Sequence, residues 1–396
     1  MVGKTVFFTL LFAELVLSQT TDPSTMTLTA DPSNMSLTTD QSTPVPTPQA
    51  PRRTVVGSEL EYNGPGCVNE PLQVWSDVMF VIESSGNKNN DFENMWFSVV
   101  TLSESFNIQM HGYPLTHFMQ AGVVVYGDMA ITVAPLGSIN NLFNINPPFV
   151  GSKTGATDLA DGITKAAEEL TGPNSRPNAK KIIYLVADDL NTNGFNDPKQ
   201  VATHFKLSGG IIIARAVKPD HGPVPEKLAD IASLGYFLNE NTTTADEIVA
   251  LTESNCFCRD GSLPYSVTND KRELPTAGCY VPISLQYTFQ TATALCRQRH
   301  SGYIASVQTA DKGQFLRSLL PGHVIWTGLF FEGEWLWQDR TKLGDYHPWG
   351  VSVGAKFDQH AMMYDNGYWY PADIKQNIPF LVCEAPPCDS VNYCEL

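Results

Sequence analysis

Between residues 75 and 254 the chain alternates short apolar runs with amphipathic stretches. DVMFVIES at 77–84 has an unbroken apolar centre, as a strand buried on both faces requires. A helical stretch follows at about 90–106, and AGVVVYGDMAITVAPL then reads as two strands turning at Gly127-Asp128. TDLADGITKAAEELTG has a helical period, with Asp158 near its start and Gly172 at its end. KKIIYLVADD at 180–189 and GGIIIARAV at 209–217 are further buried strands, and helices are predicted at about 198–207, 224–233 and 244–253. Strands alternating with helices predict an α/β doubly wound, mostly parallel sheet.

The texture changes on either side of this block. From residue 19 to about 53 the chain is Thr, Ser, Pro, Asp and Met without apolar periodicity. Such a segment cannot bury enough apolar surface to offset the entropy of ordering it. Its composition is that of an O-glycosylated stalk, or of a plain flexible tail. Beyond Cys258, TFQTATALCRQRH and TADKGQFLRSLL read as two short helices amid aromatic, turn-rich segments. MMYDNGYWY is a hairpin signal, with Asp365-Asn366-Gly367 at the turn. That end is predicted to be a small α+β domain.

Composition adds compartment and exclusions. MVGKTVFFTLLFAELVLSQT has a charged lead at Lys4, an apolar run and small Ser18, which marks residues 1–18 as a signal peptide. No later run has membrane length, so a secreted, extracellular product with no membrane span is expected. The net charge of −16 argues against a nucleic-acid partner. The eight cysteines fall as a lone Cys67 and seven crowded between Cys256 and Cys394. In that compartment an even count reads as four disulfides, although eight cysteines allow 105 connectivities by themselves. Asn34-Met35-Ser36 and Asn241-Thr242-Thr243 fit the N-glycan acceptor pattern.

Candidate chemistry gathers at the carboxyl ends of the strands, where doubly wound sheets bind ligands. Glu83-Ser84-Ser85-Gly86-Asn87 follows the first strand, Gly155-Ala156-Thr157-Asp158 lies in a loop, and Asp188-Asp189 ends another strand. Oxygen-only donors of this kind suit Mg²⁺ or Ca²⁺. On these segments, residues from about 70 to 254 resemble a von Willebrand factor A domain. The resemblance implies a metal-ion-dependent adhesion site, whose first loop in the family reads Asp-x-Ser-x-Ser. Ser85, Thr157 and Asp188 match that pattern, whereas Glu83 stands for the first Asp and Asn87 for the second Ser. The longer Glu83 must shift the ion or its waters, and Asn87 offers a carbonyl oxygen in place of a hydroxyl. Two outcomes stay open: a degenerate site that still holds Mg²⁺ or Ca²⁺, and a decayed site on a fold that meets partners by surface alone.

Residues from about 258 to 384 resemble a C-type lectin-like domain. GCYVPISLQYTFQTATALC, Trp326-Thr327-Gly328-Leu329, Trp335-Leu336-Trp337 and Cys383-Glu384 carry the likeness. It implies Cys296–Cys383 as the helix-to-last-strand bridge and Cys258–Cys279 as the extra amino-terminal one. That leaves Cys67–Cys256 to clasp the first module and Cys388–Cys394 to close a tail loop. The implied layout is therefore a stalk at 19–66, the first module at 67–256, the second at 257–384 and a tail at 385–396. Sugar-binding relatives hold Ca²⁺ with Glu-Pro-Asn or Gln-Pro-Asp and with Trp-Asn-Asp. Here those places read Trp349-Gly350-Val351-Ser352 onward and Trp369-Tyr370-Pro371, so the usual calcium-dependent sugar site is not expected. Trp349, Tyr368 and Trp369, beside Tyr364 and Tyr370, are candidates for a ligand surface or for packing the small core.

No Gly-x-Ser-x-Gly elbow, His-Glu-x-x-His helix or Gly-rich phosphate loop is present, so no enzyme is expected. Signal, stalk and the two modules together resemble secreted proteins expanded in nematodes. The likeness implies recognition or adhesion toward extracellular protein or glycan ligands in innate defence. A structural component of matrix, mucus or cuticle is the alternative.

Overall fold

A computed structural model describes residues 66–394 except 85–88, 154, 189, 218–224, 268–271, 273, 354–358 and 375–378. The expectations for the signal peptide, the stalk and Asn34 lie outside the described residues. The first module comprises β1 (Asp77–Glu83), α1 (Asn89–Ser103), β2 (Gln120–Tyr126), β3 (Ala130–Ile139), α2 (Leu159–Thr171) and β4 (Lys181–Ala187). It continues with α3 (Pro198–Leu207), β5 (Ile211–Ala216), β6 (Phe237–Leu238) and α4 (Thr244–Glu253). The sheet order is β3-β2-β1-β4-β5-β6, parallel throughout except for β3, which returns antiparallel on the β2 edge.

Alternation along β1 splits the core between two layers. Val78, Phe80 and Ile82 pack with Phe92, Met95 and Val99 of α1 and with Leu251 of α4. Met79 and Val81 face the other way, toward Leu159, Ile163 and Leu170 of α2 and Phe205 of α3. Each such side chain, fully buried, contributes about 1.5–3 kcal/mol. Asp158 caps α2, accepting from the Asp161 N–H at 3.0 Å, and Thr243 with Asp246 forms a capping box on α4. The helix expected at 224–233 is only a 3₁₀ turn, Glu226–Asp230, after Pro225. Past it the chain is drawn onto the β5 edge: Ser233 donates its N–H to the Ile212 carbonyl, and its hydroxyl accepts the Ile212 N–H. A continuing helix would withdraw those groups from the sheet.

The second module holds β7 (Leu263–Pro264), β8 (Cys279–Ile283), α5 (Phe289–His300), β9 (Tyr303–Ile304), α6 (Ala310–Leu319) and β10 (Ile325–Phe331). It ends with β11 (Trp335–Trp337), β12 (Gln359–Met363), β13 (Trp369–Asp373) and β14 (Leu381–Ala385). Two four-stranded sheets result, β11-β10-β12-β13 and β7-β8-β14-β9. The β12–β13 hairpin turns at Gly367, whose φ of 86° favours glycine. A buried ammonium crosses this core: Lys312 Nζ lies 3.0 Å from both Glu384 Oε2 and Ser306 Oγ. Burial holds that ammonium below its ordinary pKa, and Glu384 offsets part of the effect.

Cysteines pair as Cys67–Cys256, Cys258–Cys279, Cys296–Cys383 and Cys388–Cys394, with Cα separations of 5.9, 5.5, 5.3 and 5.5 Å. The last loop does more than close on itself. Cys388 and Cys394 are buried with Trp75, Phe257, Ala179 and Tyr393, at the amino end of β1 and β4. Trp75 Nε1 donates to the Asp389 carbonyl at 2.5 Å, and Val68 N–H donates to the Asp389 carboxylate at 2.8 Å. Phe257 and Cys388 exchange backbone hydrogen bonds of 3.1 and 2.8 Å. The tail thus returns from the last strand of the second module to the base of the first.

Candidate functional site

Glu83 ends β1 and Asp188 follows β4, the two strands between which the chain's winding direction reverses. That reversal opens a crevice at the carboxyl edge of the sheet. Glu83 is fully buried and its Oε2 accepts the Asp188 N–H at 3.1 Å, so the longer side chain bridges the two strand ends. Thr157 is buried above, its N–H donating to the Asn191 carbonyl at 2.7 Å. Asn191 in turn donates Nδ2 to the Gly155 carbonyl at 3.1 Å, tying the Thr157 loop to the loop after β4. The Thr157 Oγ1 is buried with no hydrogen-bond partner among the described residues.

Backbone crowding fixes the remaining wall. A Cβ on Gly127 would stand 2.1 Å from the Gly151 carbonyl oxygen, so glycine is needed for the two loops to approach. Gly127 O also accepts the Asp158 N–H at 2.8 Å. Ser84, passed over in the sequence, is fully buried and its hydroxyl accepts the Val150 N–H at 2.9 Å. Its only local signal was its place between Glu83 and Ser85. Of the five candidate donors, Glu83, Thr157 and Asp188 come to one edge, whereas Ser85 and Asn87 lie outside the described residues. Among the described residues no cluster of three or more His, Cys, Asp or Glu side chains is arranged for a metal. The donor set is two carboxylates plus a hydroxyl, a hard-oxygen combination suited to Mg²⁺ or Ca²⁺ rather than to a softer ion. A buried hydroxyl without a partner among the described residues, on the same sheet edge as Glu83 and Asp188, fits such a cation.

The aromatic candidates of the second module separate. Trp369 is not surface: it is fully buried, edge-on to Trp337, Tyr346 and Trp349 at centroid distances of 5.7–5.8 Å. Pleating explains the correction, since Tyr368 precedes it across the strand and is half exposed at 50%. Trp349 is half-buried against Trp335. Tyr364 remains partly exposed, its ring 4.8 Å from Tyr370. Asn241 is exposed in the loop before α4.

Comparisons with known proteins agree with both halves. The family model "von Willebrand factor type A domain" matches residues 77–251, and "Lectin C-type domain" matches 285–385. Such domains are generally non-catalytic binding modules. The chain carries a von Willebrand factor type A domain followed by a C-type lectin domain. C-type lectin domain-containing protein 160 of Caenorhabditis elegans is 24% identical over 280 residues, 65% of this chain and 41% of that protein. The chain therefore spans under half of that relative's length. Similar solved structures include proximal thread matrix protein 1 of the mussel byssus (21% identity, 46% of this chain and 47% of that one, TM-score 0.37). A form of that protein with a zinc-occupied MIDAS motif gives 23%, 48% of each chain and 0.38. Human lithostathine gives 20%, 33% of this chain and 99% of that one, and 0.28. No helix among the described residues is long and apolar enough to cross a membrane.

Proposed function

We propose that this is a secreted, non-enzymatic recognition or adhesion protein that binds extracellular protein or carbohydrate surfaces in innate defence. On this reading the usual calcium-dependent sugar site is lost and the carboxyl edge of the first sheet is the contact point. The observation that carries it is the buried Thr157 hydroxyl, unpartnered among the described residues, at the sheet edge where Glu83 and Asp188 end β1 and follow β4. A buried polar atom of that kind costs about 1–3 kcal/mol unless something bonds to it. Glu83, Thr157 and Asp188, with Ser85 and Asn87, would hold Mg²⁺ or Ca²⁺. When bound, the ion supplies a hard positive centre whose open positions accept a partner's oxygen. The chain's own part is orientation: Asn191 pins the Thr157 loop, and Glu83 fixes the spacing of the two strand ends.

Titration calorimetry with Mg²⁺ and Ca²⁺ on wild type and Thr157→Ala tests the edge. Heat in wild type that disappears in the variant is expected, and no heat in wild type removes the metal-dependent reading. Binding of the full chain to microbial surfaces and to host matrix extracts tests the role. Retention on insoluble host matrix alone would instead make it a structural component of matrix, mucus or cuticle.

A further inference from the structure

The chain carries 41 acidic and 25 basic side chains, and most of its described arginines are already held. Arg176 is paired with Asp77, Arg215 with Glu247, Arg272 with Glu253 and Arg340 with Glu332. Arg317 donates to the Asp365 carbonyl, and Arg297 lies over the Tyr303 ring, 5.6 Å from its centroid. Among the described residues only the Arg259 and Arg299 guanidinium groups have no such partner, and both side chains are exposed. The backbone brings these two together. Phe257 exchanges hydrogen bonds with Cys388, just past the end of β14, and so carries Arg259 to that strand end. Gly302, after α5, packs on the same end, where a Cβ would stand 3.0 Å from Ala385 Cα, and so brings in Arg299 and His300. Both arginines act on the His300 ring: burial first, then Arg259 and Arg299, hold it below the ordinary imidazole pKa. The helix end accounts for only part of the cluster. Arg299 and His300 lie in the last turn of α5, where cations offset the negative end of the helix dipole, but Arg259 belongs to a different segment. Its neighbour Asp260 acts on Lys180, just before β4.

We propose that Arg259, Arg299 and His300 form a docking patch for a short acidic segment of a partner protein. Charge complementarity selects the chemistry: two unpaired guanidinium forks suit carboxylates, and each can grip one in bidentate fashion. The net charge of −16 selects the size. Exposed charges are largely screened beyond about 8 Å at physiological salt, so a short peptide seated on the patch is governed by these cations. A membrane or a long polyanion extends past the patch onto the rest of a net-acidic chain, which repels it. Tyr303, 41% exposed and three residues beyond His300, offers an apolar ring to the same segment. The patch lies on the second module and needs no metal, so it goes beyond the reading of the first sheet's edge and is tested separately from it.

The test measures binding of the full chain, with chelator present, to a short Asp/Glu-rich peptide, its Asn/Gln counterpart, heparin and phosphatidylserine vesicles. Binding of the acidic peptide that weakens as salt is raised is expected, with the other three probes weaker. Arg259→Gln and Arg299→Gln should each lower its affinity about threefold, and the double variant about tenfold, as exposed ion pairs do. Arg340→Gln, which removes a cation already paired with Glu332, should leave it unchanged. All three arginines are exposed, so folding survives their replacement. The His300 ring, followed by NMR, should titrate at higher pH with the peptide bound, because a carboxylate at the patch favours the imidazolium. Equal binding of the Asn/Gln peptide, tighter binding of heparin or vesicles, loss in chelator, or wild-type affinity in the double variant would overturn the proposal, as would an unmoved His300 titration. A chain that ignores the acidic peptide yet still shows metal-dependent surface binding refutes the patch and leaves the recognition reading intact.

Discussion

Replacing Trp75 with alanine should uncouple the two modules. Trp75 is fully buried, with ring centroids of Tyr393 at 4.6 Å and Phe257 at 5.5 Å, and its indole N–H bonds to Asp389 O. A buried Trp truncated to Ala loses about 3–5 kcal/mol in transfer and cavity terms. The Asp389 carbonyl left without its donor adds about 1 kcal/mol. At about 2–4 °C per kcal/mol for a body of this size, Trp75→Ala should lower the melting midpoint by roughly 10–20 °C. Trp75→Phe retains most of the burial and loses the hydrogen bond, so about 1–2 kcal/mol is expected. Scanning calorimetry reads the midpoint, and hydrogen exchange at the Val68, Glu70 and Cys388 amides reads the clasp itself. Those amides bond across the junction to Asp389, Ser390 and Phe257. Their protection should collapse in Trp75→Ala before that of the β1 and β4 amides. A midpoint within about 3 °C of wild type, or unchanged protection at the three amides, would refute the clasp.

Other consequences follow from the same geometry. By loop-closure entropy, Cys67→Ser/Cys256→Ser, which opens a separation of 189 residues, should cost about 5 kcal/mol; Cys388→Ser/Cys394→Ser, across 6, should cost about 2 kcal/mol, both read by urea denaturation. Lys312→Met should cost about 3–5 kcal/mol at neutral pH because Glu384 is left buried without its cation. The native Lys312 ammonium loses its proton at lower pH than the unfolded one does at about 10.5, so it adds a rise in stability with pH across that interval. The wild-type minus Lys312→Met difference, measured from pH 8 to 10.5, should show that rise. Gly127→Ala should abolish the calorimetric metal response while the fold stays intact by circular dichroism, since its Cβ would push Gly151 and the Thr157 loop away from the edge.

Strands β1, β4 and β5 were legible because burial on both faces leaves an unbroken apolar run. The two-residue strands β6, β7 and β9 were not, since their pairing is set by neighbours distant in sequence rather than by propensity. At 224–233 the helical period was present, but the β5 edge claimed the backbone groups of Ser233. The edge donors were readable as strand-end carboxylates and hydroxyls. Asn191, which ties them together, had no signal beyond a loop position. The hairpin pattern contained the means to separate Tyr368 from Trp369, because adjacent strand residues face opposite sides. The tail clasp could not be read, because Asp389 lies 314 residues from Trp75.

The clasp also bears on how the proposed site on the first module would act together with one on the second. The tail docks at the amino end of β1, whereas Glu83 stands at its carboxyl end, seven residues or about 20 Å away. The lectin module is therefore tied to the end of the sheet opposite the candidate edge by both its entry, at Cys256 and Phe257, and its exit, at Cys388. A flexible linker would let two sites sample many spans, and the second binding event would bear that entropy. A module fixed at entry and exit gives up that freedom during folding, so ligands at one favourable spacing gain avidity and those at other spacings gain none. Trp75→Ala should then weaken binding to a surface that engages both sites more than binding to either ligand alone, although Trp75 touches neither.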